Sequence, residues 1–307
     1  LDLRRFIMAN PMYGQNKFDD KLDVKGKLNK SGGIPVQDSG GVAPVGGIVQ
    51  VPWGVYNGAV ASGDGYDLAD ADPYAESATQ LFPLGTTLDW GDRAFKYAQM
   101  DGAVTAGKLL QQKASVVANH SQCDMTGAVS ATTTDTTDIS VEFSGDTDAA
   151  ANLYQDGYLI INSGTGAGQS WRIKSHAAVN AGDDTTAVIT VYGKLVTALA
   201  SGASSEATLT YNPYKDVIVS PTTATGGVVG VTNIDMTDDY YGWIQVRGPK
   251  ACLAGETLVL GMSVMASDAD AGAVMPDNGD DLEPVIGEVM ASVVVDAEYN
   301  LVNLRIG

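Results

Sequence analysis

The stretch Tyr158-Leu-Ile-Ile-Asn162, followed by Gly164-Thr-Gly-Ala-Gly168 and then Trp171-Arg-Ile-Lys174, decides the fold. Glycines at alternate positions let backbone amides approach an anion closely, and phosphate-cradling loops use them in that way. Such a loop has to open a helix whose N-terminus faces the phosphate. Here the chain continues as Gln169-Ser-Trp-Arg-Ile-Lys174, a short alternating segment that reads as a strand. Two short strands around a glycine-rich turn predict a β-hairpin.

The same texture continues on both sides. Strands with turn-formers between them are predicted at 138–143, 157–162, 170–175, 187–192 and 206–211, enough for a small barrel or sandwich. Upstream, Leu84-Gly-Thr-Thr-Leu-Asp-Trp-Gly-Asp92 reads as strand and turn, 93–98 alternates as a half-buried strand should, and 104–112 places a turn before an apolar strand. Downstream, short strands are predicted at 243–247, 257–260, 284–290 and 301–306. The 36 glycines, the frequent Thr, Val, Ala and Ser, and the lack of a long i, i+3, i+4, i+7 apolar run all disfavour helices. The chain therefore reads as all-β, with short-stranded β-barrel or sandwich domains behind an extended N-terminal arm.

A chain of 307 residues is long enough for two compact units. Residues 120–235 form the expected inserted β domain, and 84–119 plus 236–307 the discontinuous β domain that receives it. A faint echo between Thr105-Ala-Gly-Lys-Leu-Leu110 and Leu253-Ala-Gly-Glu-Thr-Leu258 fits strands on either side of one insert, although nothing recurs at a fixed period. Residues 51–83 are an irregular connection. Residues 1–50, broken by Gly32-Gly33, Gly40-Gly41, Gly46-Gly47 and prolines at 11, 35 and 44, read as an arm.

Acidic residues outnumber basic ones 37 to 18, and the net charge of −19 disfavours nucleic acid and anionic membrane surfaces as partners. No stretch approaches a membrane-spanning length, and the first residues lack the layout of a secretory signal, so a soluble, unexported chain is expected. The arm departs from the overall charge. Residues 1–30 carry seven basic side chains against four acidic ones, net +3, which leaves −22 on the remainder. An extended segment cannot bury itself, so its order has to come from another surface. Arg4, Arg5, Lys17, Lys21, Lys25 and Lys27 supply charge for docking, and the aromatic Phe6, Tyr13 and Phe18 supply anchors.

Catalytic chemistry finds little support. A histidine-based triad has only His120 and His176 to draw on, in separate turn-like contexts, and no G-x-S-x-G elbow occurs. Cys123 and Cys252 cannot make a disulfide framework or a four-thiolate zinc site; one disulfide between them is the alternative, and both are expected to be reduced and partly buried. The acidic runs Asp64–Asp72, Asp268-Ala-Asp270 and Asp277-Asn-Gly-Asp-Asp281 could offer oxygen ligands to a hard cation, but none has the EF-hand spacing, and solvated turns are expected. Asn119-His-Ser121 matches a glycosylation acceptor that an unexported chain would never present. No cofactor, no metal and no enzymatic activity are expected.

From Leu84 onward four groups of motifs resemble a family of tailed-bacteriophage virion proteins. They are Leu84-Gly-Thr with Gly91-Asp-Arg-Ala-Phe-Lys-Tyr-Ala98 and Ala106-Gly-Lys-Leu109; Gly157-Tyr-Leu-Ile-Ile-Asn162 with Trp171-Arg-Ile-Lys-Ser-His176; Asn212-Pro-Tyr with Pro221-Thr-Thr-Ala-Thr-Gly226; and Tyr240-Tyr-Gly-Trp243 with Arg247-Gly-Pro249. Their order and spacing cover roughly 220 of the 307 residues. The resemblance implies a virion-bound β protein. The expectation is a capsid decoration, or cement, protein on the capsid surface, assembled in the host cytoplasm. Its partners would be the major capsid protein and other copies of itself, in a trimer. A tail- or fibre-associated protein that binds host surface glycan is the alternative.

Overall fold

The computed structural model describes residues 49–51, 54–56, 71–113, 120, 129–130, 134–143, 148–180, 186–200, 205–279, 283–291 and 295–307. Every named element is a strand, and the antiparallel sheets curl, so the chain is all-β. The docking residues Arg4, Arg5, Phe6, Tyr13, Lys17, Phe18, Lys21, Lys25 and Lys27 lie outside the described residues, as do Cys123 and most of the first acidic run.

In the first part of the chain the strands are β1 (Val49–Val51), β2 (Gly54–Tyr56), β3 (Glu76–Ser77), β4 (Thr87–Trp90), β5 (Arg93–Gln99) and β6 (Leu109–Gln111). The middle holds β7 (Val129–Ser130), β8 (Asp138–Glu142), β9 (Tyr158–Gly164), β10 (Ser170–His176), β11 (Thr186–Val191) and β12 (Ser205–Thr210). Then come β13 (Ile218–Val219), β14 (Val228–Thr232), β15 (Tyr241–Leu253), β16 (Ser263–Ala266), β17 (Val274–Pro276), β18 (Gly287–Val289) and β19 (Tyr299–Arg305). A 13-stranded sheet follows the path β1-β2-β4-β5-β15-β19-β18-β16-β17, with β3, β6, β13 and β14 paired off it.

β15 organises this larger sheet. Its first half pairs with β5 and its second half with β19, and Arg247 pairs with both Ala94 and Arg305 where the partners change. The change of partner needs Gly248. It holds a left-handed φ of 86°, and a Cβ there would lie 2.2 Å from the Asp92 carbonyl oxygen. On one side of that point, Trp243 packs with Phe82 and Tyr97, ring centroids 5.3 and 5.1 Å away. On the other, Cys252, Val302, Leu304 and Val264 fill a second core. Truncating a buried side chain of the size of Trp243 costs about 3–5 kcal/mol. The β17 end of the path returns toward the end of β15 through a parallel bridge between Ala254 and Val274, which curls the C-terminal strands round their core.

β7 to β12 form a separate six-stranded sheet in the order β12-β9-β10-β11-β8-β7. Alternation is clearest in β8, where Ile139 and Val141 point inward while Asp138 and Glu142 are exposed. The inward rows of β8 to β12 enclose one core, with Leu159, Ile161, Ile173, Ile189 and Leu209 at its centre. The two ends of the path, β7 and β12, approach each other, so this sheet is curled nearly closed.

Two expectations differ in detail. The smaller sheet ends at Thr210, and β13 and β14, placed by sequence in the insert running to 235, pair with β6 in the larger sheet. The reason is packing, since Val217, Val229 and Val231 fill cores of the larger unit. Residues 257–260 are not a strand. Leu258 is buried, but the turn from Val259 to Met262 and Gly261 at φ 84° delay the strand to Ser263. The two echo segments are neighbours, with the Leu253 N–H donating to the Gly107 carbonyl at 3.0 Å. They are not copies in conformation, because Gly107 is left-handed at φ 77° and Gly255 is not.

Candidate docking surface

His120 and His176, expected apart, converge on one side chain. Tyr154, in the turn before β9, is fully buried, and its hydroxyl lies 3.0 Å from His120 Nδ1. The Tyr154 backbone N–H donates to His176 Nε2 at 3.0 Å, while His176 Nδ1 lies 2.7 Å from the Ala177 carbonyl oxygen. A carbonyl only accepts, so Nδ1 carries the proton and Nε2 presents its lone pair: the geometry requires neutral His176. Burial holds the His176 pKa below its ordinary value, and Lys215 lowers it further against the opposing Ala177 contact. Burial also raises the Tyr154 pKa, and Tyr211, stacked at 4.9 Å, adds to the rise. His120 is fully buried and His176 nearly so, and both rings pack against Tyr154 in the core of the smaller unit.

The glycine-rich loop is the predicted hairpin. Gly164, Gly166 and Gly168 take left-handed φ values of 76°, 84° and 87° between β9 and β10. The Ala167, Gly168 and Gln169 amides donate to carbonyls of the hairpin itself, so these donors are consumed internally. At the acidic turns, the Ala269 and Asp270 amides donate to Ser267 Oγ, and the Gly279 amide donates to Asp277 Oδ1. Among the described residues no group of three His, Cys, Asp or Glu side chains is arranged to hold a metal ion. Cys252 is free and buried, and burial pushes its thiol pKa up to about 12.

Polar side chains connect the two sheets around Asp156. Asp156, buried and left-handed at φ 64°, pairs through Oδ1 with Arg172 at 3.0 Å inside the smaller unit. Its other oxygen accepts from Gln80 Nε2 at 2.9 Å and from the Leu84 amide at 3.3 Å in the larger unit. Arg172 donates to the Leu84 carbonyl at 2.6 Å, and Asn212 Nδ2 reaches both the Leu84 and Asp156 carbonyls. Four side chains thus bridge the joint. The Leu84-Gly-Thr and Asn212-Pro-Tyr stretches, singled out in sequence, meet here.

The larger unit carries a group of exposed apolar side chains. β19 alternates, with Val302 and Leu304 inward, but its outward row begins with Tyr299 and Leu301, 49% and 39% exposed, before turning polar at Asn303 and Arg305. Next to Leu301, bonded through its backbone amide, stands Met290 at 45% exposure. The turn carrying Val259, Leu260 and Met262 abuts β18 and leaves all three side chains exposed. Exposed apolar side chains thus stand on neighbouring backbone segments, forming a strip on β19, β18 and the 259–262 turn. At its end, Tyr299 lies over Gly107, where a Cβ would come 2.6 Å from the ring, and beside it opens a cleft of about 390 Å³ lined by Asn233, Asp235 and Lys250. Burial lowers the Lys250 pKa to about 8, with Arg93 acting in the same direction and Cys252 against it. Exposed Glu256, Asp296 and Glu298 flank Tyr299 along the chain and across the bonds from Ala254 to Glu298 and Ala297.

The strip was not among the residues expected to bind. A signal for it was present, because Tyr299 and Leu301 are apolar in a register where Asn303 and Arg305 are polar, and a one-sided strand has no use for apolar residues on both faces. No known protein family, no curated protein and no solved structure matches this chain.

Proposed function

We propose that the chain is a non-catalytic structural protein of a tailed-phage particle that binds the outside of the capsid and stabilises it. The observation that carries this reading is the separation of charge, a segment of net +3 over residues 1–30 attached to a body of net −22. A basic, aromatic arm on an acidic body is suited to lying on a shell or a neighbouring copy while the body faces outward. The resemblance of the motifs from Leu84 onward to virion proteins gives the particle as its setting. Supporting features are the hydrogen bonds around Asp156 that connect the two sheets, and the exposed apolar side chains on β18 and β19. The histidines serve the fold.

Ordering an arm costs about 1–2 kcal/mol per residue, so attachment depends on many weak contacts repeated across a symmetric shell. Copies of the chain in a closed ring, a trimer in this reading, would multiply them. The test compares capsids lacking the chain after addition of full-length protein or of a variant without residues 1–30. Full-length protein is expected to saturate lattice sites and raise the temperature of DNA release, and the deletion to lose both effects. Equal occupancy by the two proteins would overturn the role of the arm. Binding of the full-length chain to tails or host glycan, with none to heads, would replace decoration by a fibre-type role.

A further inference from the structure

We infer that Lys250 is a covalent modification site, an amine that condenses with a small neutral aldehyde held in the cleft beside Tyr299. The site stands whether or not the chain coats a capsid.

Three observations meet at this amine. The first is register. In the β15–β19 pair Lys250 stands opposite Val302, and Cys252 opposite Asn300; directly opposite residues share a face. Val302, Cys252 and Asn300 are all buried. The Lys250 side chain therefore leaves the backbone on the core face, where an aliphatic residue would pack without the cost of a charge. The second is access. Lys250 lines the cleft of about 390 Å³ together with Thr105, Asn233, Asp235 and Tyr299, a size within the range of small-molecule sites, about 300–1,000 Å³. The third is the lack of a counter-ion. Among the described residues its amine forms no ion pair, although Asp235 lines the same cleft. Burial lowers its pKa to about 8; Cys252 on β15 opposes that shift and Arg93 on β5 adds to it.

A desolvated, unpaired lysine keeps part of its amine neutral near neutral pH, and the neutral amine is the nucleophile toward a carbonyl carbon. The nitrogen bonds to the aldehyde carbon, its two protons leave with the carbonyl oxygen as water, and a C=N bond remains. Charge selects the ligand. Asp235 in the cleft and the net −22 of the body disfavour an anionic electrophile, while the half-exposed Tyr299 ring offers an apolar wall.

The experiment treats the full-length chain at pH 8 with glycolaldehyde and cyanoborohydride, which reduces each imine to a stable hydroxyethyl amine, and maps the labelled lysines by peptide mass spectrometry. Lys250 is expected to react at least about tenfold faster than exposed Lys174 and Lys194, because at pH 8 its amine is roughly half neutral and an ordinary lysine well under a hundredth. That advantage is expected to shrink between pH 8 and pH 10, as the exposed lysines deprotonate, and to vanish in urea. Glyoxylate, a two-carbon aldehyde that carries a negative charge, is expected to show a smaller preference for Lys250. Lys250→Met, which keeps an unbranched apolar stem, is expected to lose the fast site. Labelling of Lys250 no faster than that of Lys174 and Lys194, or the same preference in the urea-unfolded chain, would overturn the proposal. A greater preference with glyoxylate would overturn the choice of a neutral ligand.

Discussion

The Leu84 backbone N–H donates to Asp156 Oδ2 at 3.3 Å, across 72 residues of sequence, and so ties the start of the larger unit to a turn of the smaller one. The same carboxylate neutralises Arg172 at 3.0 Å, so one buried side chain serves as ion-pair partner, hydrogen-bond acceptor and joint.

Asp156→Asn tests that joint. Asparagine tolerates the left-handed backbone but cannot pair with Arg172 or accept from all three donors. Removing one partner of a largely buried pair, moderated here because Arg172 is a third exposed, costs about 2 kcal/mol. Urea unfolding is expected to shift to lower midpoint and to separate into two transitions as the units uncouple. A single transition at the parent midpoint would show that the joint contributes nothing.

Stability should depend on pH through His176. Its pKa is lowered in the folded state, so between that value and the unfolded value near 6.5 the unfolded chain binds more protons. Stability is therefore full above about pH 6.5 and falls as the solution is acidified, by at most about 1.4 kcal/mol per pH unit for one site. His176→Leu leaves the Tyr154 amide without its acceptor and is expected to lower stability by about 1–3 kcal/mol at pH 7, but with a flatter slope to pH 5. Thermal unfolding of both proteins across that range checks the sign and the slope.

Two glycine substitutions separate strain from crowding. Gly248 and Gly261 have similar φ values of 86° and 84°, yet a Cβ at Gly261 meets nothing within 4 Å while one at Gly248 meets the Asp92 carbonyl at 2.2 Å. Gly261→Ala is expected to cost about 1 kcal/mol, from backbone conformation alone. Gly248→Ala should cost at least about 3 kcal/mol, because β15 cannot change partners without moving the Asp92 turn. Equal losses in denaturant titration would contradict this account of β15.

Much of this architecture was legible in sequence where alternation and turn chemistry agreed. The 158–174 hairpin, β5, β8 and β19 stand within a residue or two of expectation; in β8 inward Ile139 and Val141 alternate with outward Asp138 and Glu142, whereas β5 buries its residues in pairs and β19 turns Tyr299 and Leu301 outward. What stayed hidden depends on long-range pairing. Nothing local assigns β13 and β14 to the larger sheet, since their valines read the same in either unit. The meeting of His120 and His176 at Tyr154 required the curl of the smaller sheet, which has no local signature. Asp156 has no local signature, because its three donors come from two units and meet only in the folded chain.

Cys252 and Lys250 offer a chemical check on the C-terminal core. With its thiol pushed up to about 12 by burial, Cys252 should resist alkylation at pH 8 in the folded protein and react once urea unfolds it. Lys250, lowered to about 8 by burial, should titrate well below the exposed lysines in an NMR experiment on the lysine side chains. A Lys250 signal titrating with the exposed lysines would mean that its amine is hydrated.

Cryo-electron microscopy of virus particles that carry this chain measures the central claim most directly. Capsid decoration predicts density for two joined β units at regular lattice positions on the head, acidic faces outward and residues 1–50 in contact with the shell or a neighbouring copy. Density confined to the tail or its fibres, or a bare head lattice, would contradict it.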